Sequence, residues 1–256
     1  MQKQIFAATI ALCAALAQAQ ESAAPAQAQA SAAPAVEAAL ETVQVAGVRD
    51  PDFKTYRAFV RGLDTFEEKH AKLAPAAPLL FRLVAATPGA TVGDVTMRIA
   101  SDVTSLPVPI NADGTFVMPR HQGAVDENAD IFLNKKRGSY RWRPHFNTPN
   151  LAPNTRRLGD LRLECEVRWA VERAELSIIK RALIGAMGAC NSKHVIVQHL
   201  APKPLLEYWL VSGARRQKYV PAKNEAKIAL QIYYVPLHDT SWPDDALVEF
   251  VYAPQA

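Results

Sequence analysis

The stretch Leu161-Arg-Leu-Glu-Cys-Glu-Val-Arg-Trp-Ala-Val171 decides how the second half of the chain is expected to fold. Apolar and polar residues alternate along it, and the apolar set is Leu161, Leu163, Cys165, Val167, Trp169 and Val171. A period of two is typical of a β-strand with one buried face. From Leu176 onwards, apolar residues instead recur at spacings of three and four. The pattern therefore predicts a strand over 161–171 and a helix over 173–188.

Two cysteines, Cys165 and Cys190, bear on this choice. The alternative is a single helix from Leu161 to Gly188. Such a helix would place the two Cα atoms about 37 Å apart, whereas a disulfide requires less than about 7 Å. A strand followed by a helix lets the chain return. In an exported protein, an even pair of cysteines favours a Cys165–Cys190 disulfide over two buried free thiols.

The segment after Asp50-Pro51 carries the most regular helical pattern in the chain. A capping side chain followed by proline is a typical helix start, and Pro75 ends the pattern. We therefore expect a helix over 52–73. Its apolar stripe consists of Phe53, Tyr56, Val60, Leu63, Phe66, His70 and Leu73.

Most of the remaining sequence has the alternation or the β-branched and aromatic content of strands, interrupted by prolines. The predicted strands occupy 42–48, 79–85, 95–99, 115–118, 129–133, 140–143, 195–200, 205–211, 228–235 and 247–252. The expected fold class is α+β, mostly β, with β-sandwich-like antiparallel sheets. Two helices, near 52–73 and 173–188, should pack on these sheets.

One part of the predicted β-rich region resembles a known family. A strand and a short loop lead into Asn111-Ala-Asp-Gly-Thr-Phe116-Val-Met-Pro119, and a strand–turn–strand unit with its turn at Asn134–Gly138 follows. Over residues 79–143 this order is similar to carboxypeptidase regulatory-like domains, which are β-sandwiches of transthyretin-like type. The resemblance implies a non-catalytic accessory or adhesive module. As a whole, the chain resembles exported bacterial proteins.

The N-terminus has the three parts of a secretory signal peptide. Lys3 precedes an apolar run over 5–16, and Ala17-Gln18-Ala19 forms a cleavage pattern, so residues 1–19 are expected to be removed. Residues 20–41, rich in Ala, Gln and Pro, are expected to form a disordered linker. The expected location is periplasmic or secreted. Since no later run approaches about 18 uncharged apolar residues, the mature protein is not expected to span a membrane.

Residues 42–256 are long enough for one domain or two small ones. If there are two, 42–157 would be a helix with a β-sandwich-like unit, and 158–256 an α+β unit packed on it. Charge is unevenly distributed over this region. Residues 131–159 contain no acidic side chain but seven basic ones, namely Lys135, Lys136, Arg137, Arg141, Arg143, Arg156 and Arg157.

This basic stretch supplies the candidate binding site. Its proposed members are Arg141, Trp142, Arg143, His145, Arg156 and Arg157. Guanidinium groups aimed together suit phosphate or carboxylate oxygens, so an anionic envelope glycan, a lipid headgroup or an acidic protein is the expected partner. The alternative is a solvated strand face with Tyr140 and Trp142 in the core. Nucleic acid is not expected, because no recognition helix or RNA-binding motif is present.

Known catalytic motifs are absent from the sequence: there is no G-x-S-x-G, no H-E-x-x-H, no zinc-type Cys/His spacing and no glycine-rich phosphate loop. No cofactor or metal is therefore expected. Two clusters remain as weaker candidates. Cys190 precedes His194, although a disulfide explains this cysteine better, and three carboxylates surround Trp242 in 238–245, where a structural turn explains them equally well.

Taken together, the sequence favours an exported, non-catalytic envelope binding or accessory protein. A periplasmic hydrolase, whose residues converge only in the fold, is the alternative. A deep pocket with two converging carboxylates or a His–carboxylate pair would favour the enzyme, and a shallow basic-aromatic face would favour binding. The oligomeric state cannot be predicted from these patterns.

Overall fold

The computed structural model describes residues 49–87, 90–222 and 231–254. The predicted signal peptide, the predicted linker and the predicted strand over 42–48 lie outside the described residues. In chain order the elements are β1 (Pro51–Thr55), α1 (Tyr56–Leu73), β2 (Phe81–Ala85), β3 (Met97–Ala100), β4 (Ser105–Val108), β5 (Thr115–Phe116), α2 (Gln122–Asp126), β6 (Asp130–Lys136), β7 (Tyr140–Pro144), β8 (Thr155–Arg157), α3 (Leu158–Glu172), α4 (Ile178–Met187), β9 (His199–Leu200), β10 (Leu205–Ser212), β11 (Arg215–Tyr219), β12 (Ile232–Tyr233) and β13 (Leu247–Tyr252).

The strands form antiparallel sheets, which confirms the predicted α+β, mostly β fold class. The first part of the chain contains one sheet in the order β1-β6-β3-β4 and another in the order β5-β2-β7. Both sheets and α1 contribute to one cluster of buried side chains, in which the Phe59 ring contacts those of Phe81 and Trp142. A third sheet, β11-β10-β13-β8, belongs to a second cluster formed by the later part of the chain.

The predicted hairpin around Asn134–Gly138 is wrong in its pairing, although both of its strands exist. β6 pairs with β1 along one edge and with β3 along the other. Because both edges of β6 are occupied, β7 cannot pair with it and joins β2 in the other sheet instead. The turn at Arg137–Gly138 therefore carries the chain from one sheet to the next.

Helix α1 confirms the predicted N-terminal helix but begins at Tyr56, because the five preceding residues form β1. Pairing with β6, for example Phe53 opposite Phe132, overrides the helix-start signal at Asp50-Pro51. Proline is tolerated there because a strand at the edge of a sheet does not need its missing N–H. The buried face of α1 contains Tyr56, Phe59, Leu63 and Phe66.

The predicted strand over 161–171 is wrong, since Leu158–Glu172 forms helix α3. Leu163, Val167 and Val171 belong to the first buried cluster. Leu161, Cys165 and Trp169 belong to or pack against the second. Each set repeats every four residues, and the two sets are offset by two, which places them about 200° apart around a helix. A helix buried on two opposite faces therefore produces the alternation that is typical of a strand.

The predicted disulfide is confirmed, with 5.8 Å between the Cα atoms of Cys165 and Cys190. Helix and disulfide are compatible because α3 ends at Glu172 and a 3₁₀ turn over Arg173–Glu175 separates it from α4. Ser177 caps the N-terminus of α4 by accepting a hydrogen bond from the Lys180 amide. The chain thus returns to Cys165 by way of two short helices. The separation of about 37 Å between the two Cα atoms applies only to one unbroken helix.

Helix α4 lies within the predicted second helix but is not packed through its apolar residues. Ile178, Ile179 and Leu183 are all exposed. In contrast, α3 packs so closely that a Cβ atom on Gly159 would lie 2.0 Å from the Leu73 carbonyl oxygen. Of the helices in 49–254, apart from the two short gaps, none has both the length and the apolar composition that crossing a bilayer requires.

The third sheet confirms two of the predicted strands, since β10 and β13 match the ranges 205–211 and 247–252. Strand β11 is not among the predicted strands, because Arg215-Arg-Gln-Lys-Tyr219 is almost entirely polar and lacks an apolar pattern. A two-residue turn at Gly213-Ala214 brings β11 alongside β10, with Ser212 opposite Arg215. Within the described residues, the predicted strands over 195–200 and 228–235 are present as short pieces, β9 and β12. Residues 223–230 lie outside the described residues.

Candidate functional site

The predicted basic surface is divided by the strand β7. Tyr140 and Trp142 point into the first cluster and are buried, whereas Arg141 and Arg143 are half-buried on the other side. Four cations of the basic stretch also pair with carboxylates, three of which come from distant parts of the chain, so the described residues of the stretch form no continuous basic face. These pairs are Lys135–Asp94, Arg137–Asp50, Arg143–Glu172 and Arg156–Glu164.

Three of the predicted residues instead meet in a cleft of about 740 Å³. Arg143, His145 and Arg156 line it, together with side chains from β2, α3, β9 and β12. We call it the basic cleft. Among the described residues, its charged lining consists of Arg82, Arg143, Arg156, Arg168 and Lys203 against Asp113 and Glu164. The lining therefore carries more positive than negative charge.

A buried ion pair forms the floor of the basic cleft. Arg156 Nη2 donates to Glu164 Oε1 at 2.7 Å and to the Phe146 carbonyl at 2.5 Å, and Glu164 Oε1 also accepts from the Phe146 amide at 2.9 Å. Burial lowers the pKa of Arg156, but Glu164, Tyr233 and Asp160 together raise it, so the net shift is upward and the guanidinium stays charged. Asp160, fully buried, accepts two hydrogen bonds from Thr148 and fixes the loop that leads to Arg156.

One carboxylate accepts hydrogen bonds from two arginines that line the cleft. Glu172 accepts from Arg143 Nη1 at 2.7 Å and from Arg168 Nε at 2.9 Å. The pKa of Arg143 is lowered to about 10, first by burial and then by the charge of Arg168, with Glu172 opposing. At neutral pH both arginines are charged, so this triad keeps an excess of one positive charge. Half-buried charge is costly unless it is compensated.

The two histidines of the cleft are neutral at physiological pH. Burial lowers the pKa of His199 to about 3, and nearby Arg156, Arg168 and Arg143 add to this effect. The pKa of His145 is also lowered to about 3, by burial and then by Arg82 and Arg156. His199 stacks on Tyr233 with 5.3 Å between the ring centroids, and its buried Nε2 has no hydrogen-bond partner among the described residues.

These depressed histidine pKa values predict a pH-dependent stability. The unfolded chain binds protons at both histidines as the pH falls below about 6.5, whereas the folded protein does not until about pH 3, so stability decreases over this range. Between pH 7.5 and 5 each histidine should account for about 2 kcal/mol of the loss. Urea unfolding at both pH values should show that His199→Gln loses about 2 kcal/mol less than wild type. His238→Gln, at an exposed histidine, is the control, and equal losses in both variants would contradict the assignment.

The remaining predicted residues lie elsewhere. Arg141 and Trp142 line a second cavity of about 630 Å³. Arg143 lies between this cavity and the basic cleft, because it lines both. Asp52 also lines this second cavity, and burial raises its pKa, with Trp142 and Lys54 opposing. Arg157 lines neither cavity, because it alternates with Arg156 along β8 and points away.

Sequence reasoning missed several contributors to the basic cleft, among them Arg82, Arg168, Lys203 and His199. Arg168 was assigned to the solvent face of a strand, and only the helical interpretation of α3 places it near Glu164, four residues earlier. Arg82 and His199 come from short strands far apart in the sequence. No local pattern connects them with Arg143.

The weaker sequence candidates have structural roles. Cys190 is held in the disulfide, and His70 hydrogen-bonds the Ala77 carbonyl at 2.9 Å while stacking on Phe66. In 238–245, Asp244 pairs with Arg162 at 2.5 Å and Trp242 is fully buried. Within the described residues, no three His, Cys, Asp or Glu side chains come together as a metal site would require.

Comparison with known proteins gives no relative from which a role could be transferred. No protein-family model matches the chain, and neither a curated protein nor a solved structure does so.

Proposed function

We propose that this chain is an exported, non-catalytic binding protein that takes a small anionic ligand in the basic cleft. The ligand class is a sugar-sized molecule carrying a carboxylate or phosphate group, as presented by an anionic envelope glycan or a lipid headgroup. The observation that carries the proposal is the excess of cations, five against two carboxylates, in the lining of a half-enclosed cleft.

The size and the chemistry of the cleft support this ligand class. Its volume of about 740 Å³ lies within the usual range for small-molecule sites. Arg143 and Arg168 share one carboxylate, and an anionic ligand would compensate the remaining charge. Neutral His145 and His199 add hydrogen-bonding groups without further charge.

The hydrolase alternative receives less support. The two carboxylates that line the cleft among the described residues are each held by an arginine, Glu164 by Arg156 and Asp113 by Arg82. Hydrogen bonds from Thr115 and the charge of Arg82 lower the pKa of Asp113 to about 2, which opposes a role as a general acid. Burial raises the pKa of Glu164, with Arg156 opposing, but both of its carboxylate oxygens already accept hydrogen bonds from Arg156. Both carboxylates are therefore held in ion pairs, which suits a binding site better than a hydrolase.

Titration calorimetry with defined probes tests the proposal. Inorganic phosphate, glucose 6-phosphate and galacturonate should bind in low salt, and neutral glucose should not. Arg143→Gln and Arg168→Gln should each weaken binding of the best probe by about tenfold or more, since a charge-assisted hydrogen bond is worth about 1.5–3 kcal/mol. In each variant Glu172 keeps its other arginine, so the fold should persist.

Arg216→Gln is the matched control for both variants. Arg216 also pairs with a carboxylate, Glu249 at 2.9 Å, but it lies on β11 and lines neither cavity. Its substitution should leave affinity unchanged. If Arg143→Gln and Arg168→Gln bind every probe as well as Arg216→Gln does, the basic cleft is not the binding site.

A further inference from the structure

Within the part of the chain that the structure describes, helix α4 presents apolar side chains to solvent. Ile178, Ile179 and Leu183 are 75%, 81% and 59% exposed, and Met187, at the end of the helix, is 39% exposed. Isolated exposed apolar residues are common, but contiguous apolar patches on monomeric proteins mark interaction sites. The apolar residues of α4 are adjacent on one short helix, so they form such a patch.

The apolar residues occupy one side of the helix. At about 100° per residue, Ile178, Ile179, Leu183 and Met187 fall within one half of the helical circumference, with Ala182 and Ala186 between them. Ile184 lies on the opposite side and is the half-buried residue of the helix. The apolar half therefore points away from the rest of the protein. Lys180 and Arg181 lie outside this half.

The charge around α4 indicates what it contacts. Residues 176–206 contain no Asp or Glu, but they include Lys180, Arg181, Lys193 and Lys203. Glu175, which precedes the helix, pairs with Lys54 at 2.6 Å, so positive charge prevails next to the apolar half. Such a face complements a surface that is both apolar and anionic. The surface of a bilayer that contains anionic lipid combines these two properties.

We infer that α4 is an interfacial element that lies on an anionic lipid bilayer, with its apolar half among the acyl chains. The helix is too short to cross a membrane. The disulfide at Cys190 ties the segment after α4 to α3, so the helix can be held at the surface without loss of the fold. A second copy of this chain fits less well, because residues 176–206 of each copy carry cations but no carboxylate, and a symmetric contact would bring these like charges together.

Vesicle co-sedimentation tests this inference. The chain from Gln20 onwards is used, so that the apolar run over 5–16 does not contribute. It should bind vesicles of phosphatidylethanolamine and phosphatidylglycerol, and bind much more weakly to phosphatidylcholine vesicles. Ile179→Ser/Leu183→Ser should reduce partitioning by about tenfold or more, and Lys180→Gln/Arg181→Gln should remove the preference for anionic lipid.

Val103→Ser is the matched control, because Val103 is 84% exposed but lies between β3 and β4. It should bind like wild type, and circular dichroism should show that all variants are folded. Equal binding by Ile179→Ser/Leu183→Ser and Val103→Ser would overturn the inference. A wild-type dimer in sedimentation velocity that Ile179→Ser/Leu183→Ser makes monomeric would also overturn it, in favour of self-association.

Discussion

Replacing Glu164 with alanine is expected to lower the free energy of unfolding by about 4 kcal/mol, the largest effect of any single substitution considered. Removing one partner of a buried ion pair costs about 3–5 kcal/mol, because the other charge is left without compensation. The side chains of Arg156 and Glu164 are only 17% and 10% exposed. Glu164→Ala also leaves the Phe146 amide without its acceptor.

Urea unfolding at neutral pH measures this loss. The double variant Arg156→Met/Glu164→Leu is the informative control, because replacing both partners of a buried pair with apolar residues is often nearly neutral. It should recover most of the stability that Glu164→Ala loses. If Glu164→Ala costs less than about 1 kcal/mol, as an exposed pair would, the floor of the basic cleft is open to solvent and its charges are screened.

Removing the disulfide is expected to have the second largest effect. Cys165→Ala/Cys190→Ala should lower the free energy of unfolding by about 3 kcal/mol, since the bond closes a loop of 25 residues and restricts the unfolded chain. The two cysteines also belong to the second buried cluster. Alanine at both positions leaves little volume unfilled, so the loss should come mainly from the missing crosslink.

Denaturant unfolding with and without dithiothreitol separates these contributions. Reduced wild type should approach the stability of the double variant, and dithiothreitol should leave the double variant unchanged. A wild-type protein whose stability does not respond to dithiothreitol, and which reacts with an alkylating reagent before reduction, would contradict the disulfide. Such a result would restore Cys190 as a candidate reactive thiol.

How well the sequence predicts a helix depends on how many of its faces are buried. The helix over 52–73 was predicted well because α1 has one buried face, and one apolar stripe at spacings of three and four identifies such a helix. Helix α3 has two buried faces, and two interleaved stripes cannot be told from the alternation of a strand by periodicity alone. The disulfide was predicted correctly, even though the strand invoked to explain it was not.

The candidate site could be predicted only in part for a similar reason. The acid-free stretch over 131–159 led to Arg143, His145 and Arg156, which line one cleft. Sequence proximity cannot show that Glu172 and Glu164 would pair with these arginines, nor that Arg82 and His199 would join them. The basic stretch is continuous in the sequence. In the fold, tertiary contacts divide its residues between two cavities and the surface.

The proposed function rests on an anion that binds between Arg143, Arg156 and Arg168. The decisive experiment is a crystal structure of the protein in complex with the tightest-binding of the three probes. We expect an anionic group of the probe in the basic cleft, within hydrogen-bond distance of at least one of these arginines. Probe molecules bound only outside the cleft, with its arginines contacting none of them, would contradict it.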